Sequence, residues 1–419
     1  MAKSLYICYF GVREPLVQTQ VIPYLRELVK GGHEITLLTF EPTPLDAEGV
    51  DAGKAACGPD IDWHWLKYHK RLSVLATAWD VLQGVRFIRR FIAREKPDIL
   101  HARVHVPALM AALARKFSRR KPKLLFDIRG FMPEEYTDAG LWPKGGWLYR
   151  SAKSVERWLM RESDGFVVLT EKAREILFPE SANTGYDKHD RPVEVIPCCV
   201  DFDRRFSPDL NGGGSAVRRK LNIGDRPVIT HVGALTGLYL TEQIADLLKV
   251  ARQIDPSTFA LFLTQTPPDE IVSMLKSRGY SETDFFVSRV SPGEVRSYLE
   301  ASDVALSFVR AGYATASRSP TKIPEYLASG LPIIANSGVG DVDELIGRNS
   351  VGVAIGSFDD ESYASALAQV RGLGDVSARC RETALREFDL EKVGGVRYRR
   401  LYSRILGLND REDATRAVN

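Results

Sequence analysis

The 419-residue chain is predicted to form two doubly wound α/β domains. Short apolar segments alternate with amphipathic segments along most of its length, and a stretch with three consecutive glycines interrupts this pattern once. The length also exceeds what a single hydrophobic core usually organises. Strands that alternate with helices form mostly parallel sheets that are covered on both faces.

The first half of the chain contains a series of strand–helix–strand units. Strands are predicted at residues 5–10, 34–40, 99–104, 123–128, 165–169 and 193–196. Helices are predicted at residues 17–30, 109–115 and 147–161.

A linker is predicted at residues 201–220, where no apolar periodicity survives. A second α/β series follows, with strands at residues 228–232, 259–264, 285–287 and 304–308, and helices at residues 242–253, 269–278 and 292–301. The predicted domains are residues 1–205, residues 206–388, and a terminal helix with a frayed tail at residues 389–419.

Composition excludes several classes of protein. The formal charge of +3 is too small to argue for nucleic-acid binding. No apolar stretch approaches the roughly 20 residues that cross a bilayer, and the N-terminus lacks the pattern of a signal peptide. The five cysteines show no metal-like spacing, so a reduced, cytoplasmic location is expected.

The most informative segment is SRSPTKIPEYLASGLPIIAN at residues 317–336. It predicts a short helix at residues 322–329 that Thr321 caps, with Pro324 in the first turn. Gly330 is the predicted helix stop, and Pro332 prevents continuation.

Lys322 and Glu325 share one face of this helix. The free N–H groups of a helix N-terminus, together with Lys322, favour a diphosphate, and Glu325 is placed to accept hydrogen bonds from ribose hydroxyls. The alternative is a solvated ion pair between the two side chains, worth only about 0.2–0.5 kcal/mol.

This block resembles the K-x-x-E-Y-x-A-x-G-x-P motif of the family 4 glycosyltransferases, matched by Lys322, Glu325, Tyr326, Ala328, Gly330 and Pro332. Segments such as GHEITLLTF, KPDILHAR, SDGFVVLT and THVGAL are also similar to that family. The resemblance implies a GT-B fold, in which two Rossmann-like domains face a central cleft. It also implies that the donor nucleotide lies in the C-terminal domain and that the C-terminal helix crosses back to the N-terminal domain.

By the same resemblance, Lys322 holds the donor diphosphate and acts in catalysis, Glu325 holds the ribose, and the main chain at Val290 meets the base. The implied donor-binding residues are Gly233, Val290, Arg318, Thr321, Lys322, Glu325, Tyr326, Gly338 and Gly340. The sequence departs from the family pattern at two places. Ser317 stands where the family commonly has a Glu that faces the donor sugar. The segment GALTGLYL lacks the family's Arg and Lys, for which Arg310 or Arg318 would compensate.

In the N-terminal half, polar side chains follow the ends of predicted strands, where ligands of such sheets bind. Arg129 is predicted to meet the acceptor hydroxyl or the donor phosphate as a second catalytic cation. Gly11, Arg13, Arg103 and His105 are predicted to lie on the acceptor side. The alternative for each residue is a structural hydrogen bond at the sheet edge.

No metal ion and no cofactor other than the donor substrate are expected. Three D-x-D triplets occur, at residues 60–62, 201–203 and 341–343, in loops or helix starts that favour Asp as a cap. The GT-B enzymes that this chain resembles do not generally need a metal.

One further helix, VRFIRRFIAREK, carries a core stripe that includes Ile88 and Ile92, and a basic flank that includes Phe87 and Phe91. We expect an ordinary packed helix with solvated arginines. The alternative is peripheral contact with the inner face of an anionic membrane that carries a lipid-linked acceptor.

The resemblance therefore predicts transfer of a sugar from a nucleoside diphosphate sugar to a hydroxyl of a glycan, lipid-linked or small-molecule acceptor. Retention is implied, with the departing phosphate accepting the proton of the acceptor. Two alternatives are open: a non-catalytic module of this fold that binds a sugar nucleotide or a partner protein, and a nucleotide-sugar epimerase of similar fold.

Overall fold

The computed structural model describes residues 2–69, 73–207, 213–235 and 237–408. Contacts divide the chain into two compact units, Met1–Pro197 with Leu390–Asn419, and Cys198–Asp389. The sequence placed these boundaries after residues 205 and 388. Residues 208–212 of the predicted linker and the predicted frayed tail from residue 409 lie outside the described residues.

The first unit contains a seven-stranded parallel sheet with the order β3-β2-β1-β4-β5-β6-β7. Its strands are β1 (Lys3–Ile7), β2 (Glu34–Glu41), β3 (Ile61–Lys67), β4 (Ile99–Arg103), β5 (Lys123–Asp127), β6 (Gly165–Val168) and β7 (Val193–Val195). Its helices before the second unit are α1 (Pro15–Gln20), α2 (Ile22–Lys30), α3 (Ala47–Cys57), α4 (Ser73–Glu95), α5 (His105–Lys116), α6 (Met132–Asp138), α7 (Trp147–Glu162), α8 (Glu171–Leu177) and α9 (Ser181–Thr184).

The helix predicted at residues 17–30 is wrong, because the chain forms two helices that meet at Val21. The backbone of Val21 leaves the helical region, with φ −124° and ψ −68°. Pro23 explains the break, since it has no N–H to donate and its ring clashes with the carbonyl four residues earlier.

Strand β3 was not predicted from the sequence. It lies at the edge of the sheet, beside β2, and most of its side chains are at least partly exposed. Ile61, Trp63 and Trp65 alternate with polar residues, which is the pattern of a half-buried strand, and the prediction overlooked it.

The second unit contains a six-stranded parallel sheet with the order β10-β9-β8-β11-β12-β13. Its strands are β8 (Val228–Val232), β9 (Phe259–Leu263), β10 (Phe285–Ser288), β11 (Val304–Ser307), β12 (Ile333–Asn336) and β13 (Gly352–Ile355). Its helices are α10 (Gly214–Lys220), α11 (Thr241–Ile254), α12 (Pro268–Ser277), α13 (Val295–Leu299), α14 (Lys322–Ala328), α15 (Val342–Asn349), α16 (Asp360–Gly372) and α17 (Ser377–Phe388).

Both faces of the second sheet are covered, as predicted. Val228 and Ile333 belong to one buried cluster, whereas the next residues along their strands, Ile229 and Ile334, belong to another. Successive side chains of a strand point to opposite faces, so the two clusters are separate cores on the two sides of the sheet.

After α17 the chain returns to the first unit, which confirms the predicted terminal helix. A π-helical segment, Leu390–Gly395, leads into α18 (Val396–Ile405). Arg397 donates to the Val195 carbonyl at 2.6 Å, and the Tyr402 hydroxyl lies 3.0 Å from His101 Nδ1. Helix α18 is therefore tied to β7 and β4.

Each sheet has a point where the strand order reverses. In the first sheet it lies between the neighbours β1 and β4, and in the second between β8 and β11. Loops at the carboxyl ends of such neighbours diverge and leave room for a ligand. Most of the donor-binding and acceptor-side residues predicted from the sequence lie near these two points.

Candidate functional site

Helix α14 begins at Lys322, next to the point where the second sheet reverses its strand order. Tyr326 anchors the helix, because its hydroxyl accepts from the Val232 N–H at 2.9 Å and donates to the Leu306 carbonyl at 3.3 Å. The ring is fully buried. Tyr326 thus fixes α14 against β8 and β11. Its predicted part in donor binding would therefore be to position this helix.

The prediction that Thr321 caps α14 is wrong. Its backbone is already helical, its side chain makes no capping hydrogen bond, and it is exposed. The carbonyl of Pro320 accepts from the Ile323 N–H at 3.1 Å, so a backbone turn satisfies this end of the helix instead. Gly330 has a φ of +84°, which confirms it as the helix stop.

The Lys322 side chain is buried, with the residue only 4% exposed. Its Nζ lies 3.3 Å from Nε2 of His231 and 4.1 Å from the centre of the Tyr239 ring. A Cβ added to Gly233, which follows β8, would lie 3.5 Å from the same Nζ. Lys322 therefore presents its ammonium to the backbone at the end of β8.

Burial and charge set the protonation of this group. Burial lowers the pKa of Lys322 to about 7, although the negative charge of Glu325 opposes the change. Burial, and then the charge of Lys322, hold the pKa of His231 well below its ordinary value. Because His231 Nδ1 faces the Leu306 carbonyl at 3.3 Å, we assign the proton to Nδ1 and leave Nε2 to accept from Lys322.

Glu325 does not form the solvated ion pair with Lys322 that the sequence left open. Its Oε1 lies 2.9 Å from Nη1 of Arg205, and its side chain is 15% exposed. Burial raises the pKa of Glu325, and the charge of Arg205 partly offsets that effect. Arg205, which the sequence assigned to the first domain, belongs to the second unit.

Two glycines beside β12 have positive φ angles that favour glycine, +85° at Gly338 and +48° at Gly340. The Gly338 N–H donates to Asp343 Oδ2 at 2.8 Å, and the Gly340 N–H donates to the Thr315 carbonyl at 3.0 Å. These bonds fix the loop between β12 and α15.

Among the other residues that the sequence singled out in the second unit, Val290 and Arg318 are half-buried and Ser317 is buried. Val290, in the loop after β10, packs against the core on one face of the sheet. Arg318 lies near Tyr239: burial raises the pKa of Tyr239, and the charge of Arg318 opposes it. Ser317 is buried, and its hydroxyl donates to the Ala314 carbonyl at 2.8 Å, so it stabilises the turn before α14.

In the first unit, a buried network surrounds Asp127 at the carboxyl end of β5. Asp127 Oδ1 lies 2.8 Å from Arg129 Nε, and Oδ2 accepts from the Tyr398 hydroxyl at 2.8 Å. Arg103 Nη1 lies 4.0 Å from Oδ2, and His101 Nε2 lies 3.4 Å from it. Burial alone would raise the pKa of Asp127, but Arg129, His101 and Arg103 together hold it below the ordinary value.

Arg129 also donates to the Tyr398 hydroxyl, so its guanidinium joins β5 to α18. This placement favours the structural alternative for Arg129. Its contact with an acceptor or a donor phosphate stays a prediction.

The loops after β1 and β4 bring the other acceptor-side residues to one edge of the first sheet. Gly11 contacts Glu41 so closely that a Cβ would lie 2.6 Å from Glu41 Oε2. Arg13 is exposed, whereas His105 is buried and its Nε2 lies 3.0 Å from Glu156.

Between Arg103 and His105, Val104 has φ 63° and ψ 179°, a conformation that a β-branched residue rarely adopts. Such strain occurs mainly at functional sites and costs about 1–3 kcal/mol.

Comparison with known families decides the class of the protein. The model of Glycosyltransferase Family 4 matches residues 17–204, and the model of Glycosyl transferases group 1 matches residues 215–386. The chain belongs to the family 4 glycosyltransferases. No curated protein sequence matches this glycosyltransferase.

Solved structures show that this glycosyltransferase has the GT-B fold. Sucrose-phosphate synthase from Thermosynechococcus elongatus is 14% identical with a TM-score of 0.71, covering 97% of this chain and 100% of that chain. HepE from Anabaena, in complex with UDP and glucose, is 15% identical with a TM-score of 0.68, covering 96% and 100%. A glycosyltransferase from Rickettsia africae is 17% identical with a TM-score of 0.67, covering 97% and 98%.

Sequence reasoning missed His231, Tyr239 and Arg205, which surround Lys322 and Glu325 in this glycosyltransferase. His231 stands two positions before Gly233 in THVG, so its proximity to the end of β8 was a usable signal. Nothing local marks Arg205 as the partner of Glu325, because a contact between distant residues leaves no periodic pattern.

Across the described residues, no group of three or more His, Cys, Asp or Glu side chains is arranged to hold a metal ion. None of the described helices is both long and apolar enough to cross a membrane.

Proposed function

We propose that this glycosyltransferase takes its sugar from a nucleoside diphosphate sugar that binds at the carboxyl edge of the second sheet. The observation that carries the proposal is the buried ammonium of Lys322 at the end of β8, beside Gly233. Within the described part of the chain, no carboxylate lies within 4 Å of its Nζ, because the nearby Glu325 pairs with Arg205.

A buried cation without a counter-ion is costly. The pKa of Lys322 falls from 10.5 to about 7, and a tenfold change in a proton equilibrium corresponds to about 1.4 kcal/mol. A negatively charged diphosphate beside Nζ would supply the missing counter-ion and restore the ammonium. The cost of burying this charge therefore favours binding of an anion at this position.

Other residues complete the proposed donor site. Arg205 occupies Oε1 of Glu325, which leaves Oε2 to accept from a ribose hydroxyl. Gly233 lets the phosphates approach the backbone, and the main chain at Val290 meets the base. Arg318, Thr321, Gly338 and Gly340 lie on the loops around this edge, and Tyr326 positions α14.

The nucleotide most suitable for a first test is UDP. HepE from Anabaena, which has the same fold, forms complexes with UDP and with UDP-glucose. Uracil is thus a reasonable base with which to probe this chain.

In the proposed reaction the C–O bond between the sugar and the diphosphate breaks, and a bond to the acceptor oxygen forms. Lys322 stabilises the negative charge on the departing diphosphate, an effect that often supplies the largest part of catalysis. The departing phosphate accepts the proton of the acceptor hydroxyl, and configuration is retained. The acceptor is a glycan, lipid-linked or small-molecule hydroxyl, bound near Gly11, Arg13, Arg103 and His105, in the cytoplasmic synthesis of glycans.

A screen of the purified full chain against common nucleotide sugars, with nucleoside diphosphate release as the signal, tests the proposal. Lys322→Ala should lower turnover by a factor on the order of 100. Lys276→Ala is the matched control, because Lys276 is a solvated helical lysine paired with Glu282 in the same unit. Equal turnover of the Lys322 variant and the parent would refute the assignment.

A further inference from the structure

A groove of about 1350 Å³ opens on the first unit between α4 and the segment that follows α5. Trp79 and Leu82 of α4 and Phe117 after α5 line it, and these residues are 50%, 57% and 60% exposed. Large apolar side chains that cluster on a surface commonly mark a site of interaction.

The exposed residues share one face of α4. Trp79, Leu82, Arg86 and Arg89 recur at helical spacing and line the groove. The opposite face is buried, and it includes Asp80, Gly84 and Ile88.

The basic aromatic flank predicted from the sequence is wrong in one respect. Phe91 is buried in the core of the first unit. Phe87 is partly buried and packs against the same core. The aromatic groups that reach solvent near the arginines are instead Trp79 and Phe117.

The charge around the groove is positive and uncompensated. Within the described residues, Arg86, Arg89 and Arg90 have no acidic partner within 4 Å, and the same is true of Lys96 and Arg119, which also line the groove. Arg120, by contrast, pairs with Asp98 at 3.1 Å. The groove therefore offers several cations to an anionic partner.

The direction of α4 places Trp79 and the arginines near different edges of the sheet. The helix follows β3 and precedes β4, so it begins near the carboxyl edge of the sheet and ends near the amino edge. Trp79 accordingly lies closer to the carboxyl edge, where Arg103 and Asp127 are found, and Arg89 and Arg90 lie closer to the amino edge.

We propose that this groove docks the first unit on an anionic lipid bilayer. Trp79, Leu82 and Phe117 enter the boundary between headgroups and acyl chains, and Arg86, Arg89 and Arg90 contact lipid phosphates. An apolar face beside a row of arginines matches a bilayer surface, whereas nucleic acid would offer no apolar layer to cover these side chains. The proposal does not depend on the donor chemistry of the second unit.

Flotation of the full chain with vesicles tests the proposal. Vesicles of phosphatidylcholine with about one third phosphatidylglycerol should carry the protein upward, and vesicles of phosphatidylcholine alone should not. The combined variant Arg86→Gln, Arg89→Gln, Arg90→Gln should bind on the order of 100-fold more weakly, because each cation near the surface contributes roughly 1 kcal/mol. Trp79→Ser with Leu82→Ser should weaken binding even at low salt.

The matched control is Arg150→Gln, Arg157→Gln, Arg161→Gln, which removes three exposed arginines from α7. It should float like the parent. The proposal is overturned if the parent fails to float, if it binds neutral and anionic vesicles equally, or if the α4 variant floats as well as the parent. Nucleoside diphosphate release without vesicles should be equal in the α4 variant and the parent, which separates this test from the test of sugar transfer.

Discussion

Nζ of Lys322 lies 3.3 Å from Nε2 of His231, in the buried interior of the second unit beside the end of β8. A neutral imidazole and an aromatic ring are the immediate neighbours of this ammonium. Neither group carries a negative charge. An incoming diphosphate would therefore be the counter-ion that this lysine lacks.

The first prediction concerns the pH dependence of nucleotide binding. Lys322 has a pKa of about 7, and a bound diphosphate should raise it. The affinity for UDP should therefore fall between pH 7 and pH 9, by up to tenfold for each pH unit, as the empty site loses its proton. Calorimetric titration in buffers of different ionisation enthalpy would show proton uptake. A constant affinity over this range would argue against Lys322 as the phosphate ligand.

The second prediction is that Lys322→Met is more stable and less active than the parent. Methionine fills a similar volume without a buried charge, so the free energy of unfolding should rise by about 2 kcal/mol at pH 7. The depressed pKa means that the ammonium destabilises the folded protein below pH 10.5, and does so fully below pH 7. Urea denaturation should therefore show a gain that disappears near pH 10.5. A variant less stable than the parent at pH 7 would contradict the inferred cost of burial.

The third prediction separates ribose binding from phosphate binding. Glu325→Gln should weaken binding of UDP by about tenfold, because the ribose hydroxyl would then donate to a neutral amide oxygen instead of a carboxylate, and should leave binding of inorganic pyrophosphate unchanged. Lys322→Ala should weaken both. Isothermal titration of the two ligands measures the difference, and an equal loss for both ligands in Glu325→Gln would exclude a specific ribose contact.

The fourth prediction uses two glycines with positive φ angles. Gly233→Ala and Gly224→Ala should each lower the free energy of unfolding by about 1 kcal/mol, because φ is +111° and +60° at these positions. Only Gly233→Ala should also weaken UDP binding, since Gly224 has no other atoms near a Cβ and Gly233 faces Lys322. Chemical denaturation and titration of both variants provide the comparison. Parallel loss of UDP affinity in both would point to a general effect of strain.

The fifth prediction concerns the network that holds α18. Asp127→Asn would leave Arg103 and Arg129 buried without their counter-ion, so the free energy of unfolding should fall by about 3–5 kcal/mol. Asp51→Asn, at an exposed position, is the control and should change stability little. Urea denaturation of the two variants measures both effects, and equal stability would show that Asp127 is not essential to the network.

The sequence predicted the doubly wound fold because apolar periodicity is a local signal that the chain repeats many times. It placed α14 within one residue of its observed end, since Gly330 requires a left-handed backbone that stops a helix. The same reasoning failed at Val21, where a proline inside an amphipathic pattern divided one predicted helix into two. The edge strand β3 was overlooked, although Ile61, Trp63 and Trp65 alternate with polar residues.

The site was only partly predictable for a different reason. Lys322 and Glu325 stand in a motif that can be read locally, but their partners His231 and Arg205 come from distant parts of the chain. Arg129 stands where a ligand contact was expected, and its pairing with Asp127 and Tyr398 depends on the return of α18, which residue types alone do not specify.

The most direct test is a crystal structure of the full chain with UDP. We predict a phosphate oxygen within about 3 Å of Lys322 Nζ, the distance of a charge-assisted hydrogen bond. A diphosphate bound away from α14, with Nζ still contacting only His231 and Tyr239, would contradict the role of Lys322 as the phosphate ligand.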